Sequence, residues 1–315
     1  MKWFRETMRD PRACDPARTV CNCEEAFPLI VPRIPPKTVL ERLRSKVAAK
    51  QPLFIASAGS GLVAQLLEKA GADCINTFSG ARLRGNGMGT MSMLWPILDS
   101  NQQTLDYTEQ DILPSLKGDA FVCACLNAND PLKDMRTVLE KLLAMGVPSA
   151  SNIGPSLSYV DKDSQVFKVL TSSGITFDHE IEMLKLCREM GMVSIGLAFD
   201  MEDSIRLVEE ARPHVFCFHA GTTKGGLKGY DSGESIEETA ERTEEVCRRL
   251  RAIDPELMLV GHGSALETPE DAQVILDRTS CDGFWTGSST ERIPIEQAVY
   301  GTAKRFADLR FGNKS

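Results

Sequence analysis

Two of the four histidines in this 315-residue chain close apolar runs. His219 ends HVFCFH (214–219) and opens into AGTTKGG, and His262 ends LMLVGH (257–262) and opens into GSA. An apolar run that stops at a polar side chain and then turns glycine-rich has the form of a buried strand delivering that side chain to a mouth. An imidazole, with an ordinary pKa of about 6.5, suits proton transfer at neutral pH. We expect His219 to move a proton at a reacting carbon or its oxygen. His262 and Ser288 would polarise the oxyanion that develops. The competing reading of either histidine is a satisfied structural one.

Other residue types extend this chemistry. SGARLRGNGMG (79–89) is a glycine-rich segment carrying Arg82 and Arg84. Arginine recognises carboxylate or phosphate through two parallel hydrogen bonds, and glycines let backbone N–H groups approach an anion. A solvated basic turn would read the same way. Asn127 and Asn152 follow apolar runs and, with Thr223 in the glycine- and threonine-rich turn after His219, would contact substrate. The same small polar types also cap helices and fill turns, which suits Ser57, Ser60 and Asp130. Glu180 opens a helix after SSGITFD and is a second acid/base candidate, since a carboxyl taken out of water becomes a better acid at neutral pH. Asp200, Glu202 and Asp203 could hold Mg2+, although an acidic first helical turn is equally expected from the helix dipole. Cys21 and Cys23 lack a second Cys/His pair at zinc-finger spacing. Lys224 lies in a loop, which argues against a Schiff base. No certain metal or cofactor ligand set is read; Mg2+ stays possible.

These residues need a repeating scaffold. Apolar runs at 53–57, 73–78, 120–126, 148–153, 193–199, 214–219, 257–262 and 282–287 predict strands. Helical periodicity predicts helices at 38–50, 61–70, 104–116, 132–145, 178–190, 202–211, 235–252, 269–278 and 294–307. Capping residues mark several starts (Asp130-Pro131, Ser235, Thr268-Pro269), and Gly71, Gly146 and Gly191 mark ends. Continuous apolar strands alternating with helices predict an α/β fold, a (β/α)8 barrel, over an open doubly wound sheet. SAGSGL after the first strand lacks the spacing of a dinucleotide fingerprint. The expected division is an irregular N-terminal extension over 1–37 and the barrel over 38–315.

Composition sets the remaining bounds. The net charge of −8 and the absence of long basic runs argue against nucleic acid. Ten cysteines, several inside apolar runs, fit small buried hydrophobes in a reducing compartment. No run reaches the roughly 18 apolar residues of a membrane span, and the first 20 residues lack a signal-peptide core. A cytoplasmic protein without a membrane partner is expected.

The motifs PLFIASAGSGL (52–62), RLRGNGMG (82–89), NANDP (127–131), ITFDHEIEML (175–184), HAGTTKGG (219–226), GHGSALETPEDAQVILD (261–277) and GFWTGSSTERIPIEQAV (283–299) together resemble the phosphoenolpyruvate hydrolase-like TIM-barrel family. That family is grouped with the phosphoenolpyruvate/pyruvate-binding barrels. The resemblance implies one barrel, a small-molecule substrate and a homo-oligomer. It also implies a hydrolase or lyase using enolate-type chemistry on a small 2-oxo acid or enolisable carbonyl compound, with Mg2+ common in the superfamily. His219, Gly221, Thr223, Gly225 and Gly226 match the family's pattern. Lys224 stands in place of a threonine, Leu83 in place of an aromatic residue and Met88 in place of an arginine. These departures leave room for a larger or more apolar substrate. One alternative is an isomerase or C–C bond lyase of specialised metabolism acting on a phenolic or polyketide-like ketone. Another is a non-catalytic sensor or scaffold whose first 36 residues carry the contacts.

Overall fold

The computed structural model describes residues 34–311. Nearly all of the expected N-terminal extension, with Cys21 and Cys23, lies outside the described residues. Eight parallel strands close into a barrel in sequential order. They are β1 (Leu53–Ser57), β2 (Cys74–Thr77), β3 (Phe121–Cys125), β4 (Ser149–Ser151), β5 (Val193–Ala198), β6 (Val215–His219), β7 (Met258–His262) and β8 (Gly283–Thr286). The helices among the described residues are α1 (Pro36–Ala48), α2 (Gly61–Lys69), α3 (Ser79–Gly85), α4 (Ser100–Tyr107), α5 (Met135–Met145), α6 (Gln165–Ser172), α7 (Phe177–Glu189), α8 (Met201–Ala211), α9 (Ile236–Ile253), α10 (Pro269–Arg278) and α11 (Arg292–Ala307). None is long and apolar enough to cross a membrane.

Helix capping follows from side-chain chemistry. Ser235 and Thr268 each form a reciprocal box with the residue three positions on, Glu238 and Asp271. Each box satisfies two backbone N–H groups that the first helical turn leaves unpaired. Gly146 ends α5 at φ 88°, a left-handed conformation that costs a residue with a Cβ dearly.

The expected helix at 104–116 is divided. Its first part is α4, and a π turn (Thr108–Ile112) and a 3-10 turn (Leu113–Ser115) follow. Pro114 has no N–H to donate, so a regular α-helix cannot run on through it. Two helices, α3 and α6, arise where none was predicted. In α3 the burial of Ala81 and Leu83 in the barrel's core cluster outweighs the glycines at its ends.

The barrel interior is filled. Leu53, Ile55, Cys74, Cys123, Val193, Ile195, Val215, Met258, Val260 and Trp285 belong to one buried cluster, and Val39 and Leu43 of α1 pack into it. Closure is made by β1 against β8, where Leu53 pairs with Gly283 and Ile55 with Trp285. Next to this closure, where β7 adjoins β8, β6 and β7 pair Cys217 with Val260 and His219 with His262. Residues in register on neighbouring parallel strands point to the same face, so this pairing sets the two histidines side by side at the carboxyl ends of their strands.

Closure at Gly283 requires the absence of a side chain. A methyl there would overlap the Leu53 carbonyl oxygen and stand 2.6 Å from the Leu53 amide nitrogen. Because both are backbone atoms inside the closing ladder, relief requires moving a strand. Gly283→Ala should therefore destabilise by about 1–3 kcal/mol, the usual range for overpacking. Thermal unfolding checks this, and an unchanged melting temperature would contradict the closure described.

Candidate active site

The His219 and His262 rings lie 4.3 Å apart, centroid to centroid, in an edge-on arrangement. The backbone fixes a different tautomer on each ring. His219 Nδ1 accepts the Gly221 N–H at 3.2 Å, so the ring proton sits on Nε2. His262 Nδ1 donates to the Trp285 carbonyl at 2.6 Å, so its Nε2 carries a lone pair. One imidazole thus offers an N–H and the other a basic nitrogen. Both are held neutral at physiological pH. Burial depresses the His219 pKa well below its ordinary value, and the neighbouring His262 and Arg242 add to this. Burial likewise dominates at His262 and, with the charge of Arg84, outweighs the Trp285 hydrogen bond and brings its pKa to about 4. The expectation of an ordinary imidazole pKa at His219 is therefore corrected.

Arg84 enters the same space from α3. Its Nε donates to Glu291 Oε2 at 2.8 Å, and its Nη2 is hydrogen-bonded to the same oxygen. Glu291 Oε1 accepts the Gly59 N–H at 2.6 Å. The Arg84 and Glu291 side chains are only 2% and 6% exposed, so each charge depends on the other for compensation. Nη1 faces the mouth, 3.4 Å from Thr90 Oγ1. A side chain at Gly287 would place its Cβ 3.7 Å from Arg84 Nη1 and 3.8 Å from His262 Nε2. The two groups therefore flank one gap that the glycine leaves open. Ser57, Thr223 and Ser288 also line this cavity, with Met91, Met93 and Ile153 as apolar wall. Its volume is about 30 Å3, room for about two water molecules.

The model of the phosphoenolpyruvate hydrolase-like family matches residues 38–309, the whole barrel with α1. The chain belongs to the phosphoenolpyruvate hydrolase-like family. This family member is 28% identical over 272 residues to the tomato (Solanum lycopersicum) ToMV susceptible protein tm-1(GCR26). That match covers 86% of this chain and 35% of the relative, so the chain spans about a third of the length of the curated relative. Among solved structures it resembles phosphoenolpyruvate phosphomutase from Streptomyces platensis subsp. rosaceus, with a TM-score of 0.57 at 16% identity, covering 85% of this chain and 87% of that one. It also resembles phosphonopyruvate hydrolase in a complex with oxalate and Mg2+, with a TM-score of 0.50 at 15% identity, covering 85% and 86%.

Not every candidate from the sequence reaches the cavity of this family member. Arg82 points away. Its Nη1 donates to Asp111 at 3.0 Å and to the Gly59 carbonyl at 3.2 Å, tying the segment after β1 to the π turn. Asn127 builds a turn: its Oδ1 accepts the Asn129 N–H, and its backbone N–H and carbonyl are both held by Asn101. Glu180 and Asn152 form a buried brace behind the site. Asn152 donates to Glu180 Oε2 at 2.6 Å, and the Leu157 N–H donates to Oε1 at 2.7 Å. Burial pushes the Glu180 pKa up to about 8 against the pull of those donors.

The acidic cluster after β5 has a cation of its own. Lys162 Nζ lies 3.2, 3.1 and 2.9 Å from Asp200, Glu202 and Asp203. Burial works against that ammonium, but its hydrogen bonds to Asp203 and Glu202 and the surrounding negative charge prevail and raise its pKa. Among the described residues no group of three or more His, Cys, Asp or Glu could hold a metal ion. The carboxylates behind the mouth are taken, Glu291 by Arg84 and Gly59 and Glu180 by Asn152 and the Leu157 N–H. This donor set does not fit Mg2+.

Three residues that shape the site were not foreseen. Glu291 compensates Arg84, Trp285 sets the His262 tautomer, and Phe199 stacks on His219 at 4.3 Å. A buried arginine needs a carboxylate partner, and the STER stretch after β8 held that signal.

The depressed pKa of His262 couples the site to stability. Below about pH 6.5 an unfolded histidine takes a proton that the folded ring refuses until about pH 4. The His262 contribution is therefore present above the unfolded pKa and is lost as pH falls from about 6.5 to about 4. A shift of that size corresponds to about 3 kcal/mol. The stability difference between wild type and His262→Asn should shrink across that window in urea titrations. NMR should show the His262 ring titrating near pH 4, and titration near 6.5 would refute the buried neutral assignment.

Proposed function

We propose that the protein is an enzyme of hydrolase or lyase type that forms an enolate from a 2-oxo acid or another enolisable carbonyl compound. The observation that carries this reading is the complementary tautomer pair. The Nε2 of His262 takes the proton from the carbon beside the carbonyl. The Nε2–H of His219 and the Nη1 of Arg84 donate to the oxygen on which negative charge gathers, and Ser288 stands beside them. Donors fixed in advance need not reorganise when that charge appears. A base with a pKa of about 4 becomes stronger as the enolate forms, because the new negative charge favours an imidazolium beside it. These assignments exchange the roles expected from the sequence, with His262 as the base and His219 as the electrophile. Glu180 and Asn152 hold the loop after β4 as positioning residues. Arg82 and Asn127 serve the loops behind the mouth.

The solved relatives include phosphoenolpyruvate phosphomutase and phosphonopyruvate hydrolase, the latter in a complex with oxalate and Mg2+, and the pyruvate-derived compounds in their names support the substrate class. A sensor would need recognition but no paired donor and base. The exposed apolar residues Ile295, Val299 and Tyr300 on α11 are consistent with a homo-oligomer.

Solvent exchange tests the reading. In D2O the protein should wash deuterium into the position beside the carbonyl of pyruvate or an extended 2-oxo acid, followed by NMR. His262→Ala should reduce the rate by about 10²–10⁴-fold, the range for losing a general base. His219→Ala should reduce it by about 10²–10³-fold, as for one oxyanion donor. Full exchange in both variants would sink the assignment.

The Lys162 cluster supports chemistry without a divalent metal. EDTA and millimolar Mg2+ should leave the wild-type melting temperature unchanged. Lys162→Met, which strands three carboxylates, should lower that temperature and gain a Mg2+-dependent rise. A Mg2+-dependent rise in the wild type would overturn the metal-free reading.

A further inference from the structure

The reaction cavity is small, and a larger one adjoins it. The outer cavity, about 560 Å3, lies between the loops after β6 and β4 and the start of α9. Its volume is in the range of small-molecule sites, roughly 300–1,000 Å3. Thr222 lines both cavities. Its hydroxyl is hydrogen-bonded at 2.9 Å to Tyr159, a wall residue of the outer cavity. A ladder of rings runs inward from there. Tyr159 meets Phe199 edge-on at 4.9 Å, Phe199 stacks on His219 at 4.3 Å, and His219 meets His262 at 4.3 Å. Thr222 and the ring ladder thus form the shared wall between the outer cavity and the reacting pair.

Its charge selects among ligands. The cation, Arg242, donates to Glu234 at 3.0 and 2.9 Å and to the Ala220 carbonyl at 2.5 Å, so its positive charge is offset. Glu238 adds a carboxylate with no cation of its own in the lining. This surplus of negative charge disfavours an anionic group. Tyr230, 65% exposed, offers a ring face and a hydroxyl at the rim.

We propose that the outer cavity is a substrate subsite for an uncharged, hydroxylated or aromatic tail attached to the reacting carbonyl, with Thr222 and Tyr230 as specificity-determining residues. The inference rests on the enolate reading of the inner cavity. It deepens that reading by assigning the substrate a size and a charge: the natural ligand is larger than pyruvate and carries no second anionic end.

Three 2-oxo acids that share a reacting end test this by calorimetry: pyruvate without a tail, 2-oxoglutarate with an anionic tail, and 4-hydroxyphenylpyruvate with a neutral hydroxylated ring. The third should bind at least 10-fold tighter than either of the others. Tyr230→Ala, at an exposed position that leaves the fold undisturbed, should reduce that advantage several-fold. Thr222→Trp, which fills the wall between the cavities, should abolish it. Equal binding of pyruvate and 4-hydroxyphenylpyruvate, or an advantage that survives in both variants, would overturn the subsite. Tighter binding of 2-oxoglutarate would overturn its charge preference. Binding of none of the three would instead remove the enolate reading, and the subsite with it.

Discussion

The mouth of the barrel depends on one buried ion pair. Arg84 and Glu291 are almost wholly removed from water, and the Gly59 N–H completes the carboxylate's hydrogen bonding. Breaking such a pair by removing one member typically costs about 3–5 kcal/mol, because the survivor stays buried and uncompensated. Here the pair joins three segments that are far apart in the chain: the loop after β1, α3 after β2, and the turn after β8. Joining them places the cationic Nη1 across one gap from His262. A pair with little worth for stability against an apolar replacement has a positional value that an apolar replacement would lack.

The barrel was legible from the sequence because most strands are buried on both faces and read as apolar runs, although β2 ends on Asn76-Thr77 and β4 is Ser-Ala-Ser. The His pair was legible for a related reason: each ring is the first polar residue after such a run. The arginines show where this reading stops. In SGARLRGNGMG, Arg82 and Arg84 look like one anion clamp if the segment is a loop. The segment folds as α3, and residues two apart on a helix are rotated by about 200°, so the two side chains leave opposite faces. One reaches the cavity and the other reaches Asp111. Asn127 presents the complementary case. Its position after β3 suggested substrate contact, but a side-chain carbonyl that can cap its own turn two residues on is used for that purpose.

Glu180 and Glu291 show why carboxylates were harder to assign than histidines. Glu180 is desolvated, as a helix-opening acid near a barrel mouth would be, but both its oxygens are taken by Asn152 and the Leu157 N–H. Burial alone therefore does not make it a reacting group. Glu291 lies beside a second charged residue, Arg292, whose Nη1 bonds Glu296 at 3.1 Å, one helical turn on. Sequence spacing favours such a local helical pair, whereas the pairing of Glu291 with Arg84 spans 207 positions and becomes visible only once the barrel closes.

The electrostatics of the inner cavity follow from its lack of an uncompensated charge, since Arg84 in its wall is offset by Glu291. With no free carboxylate beside them, buried His219 and His262 cannot hold a proton, and backbone groups rather than charges dictate which nitrogen carries the hydrogen. Such a site binds a neutral carbonyl group without first displacing an ion. It responds to charge only when charge is created within it, on the oxygen facing His219 and Arg84, with the matching proton on His262. A neutral donor and a neutral base concentrate their effect on the enolate, where it lowers the barrier.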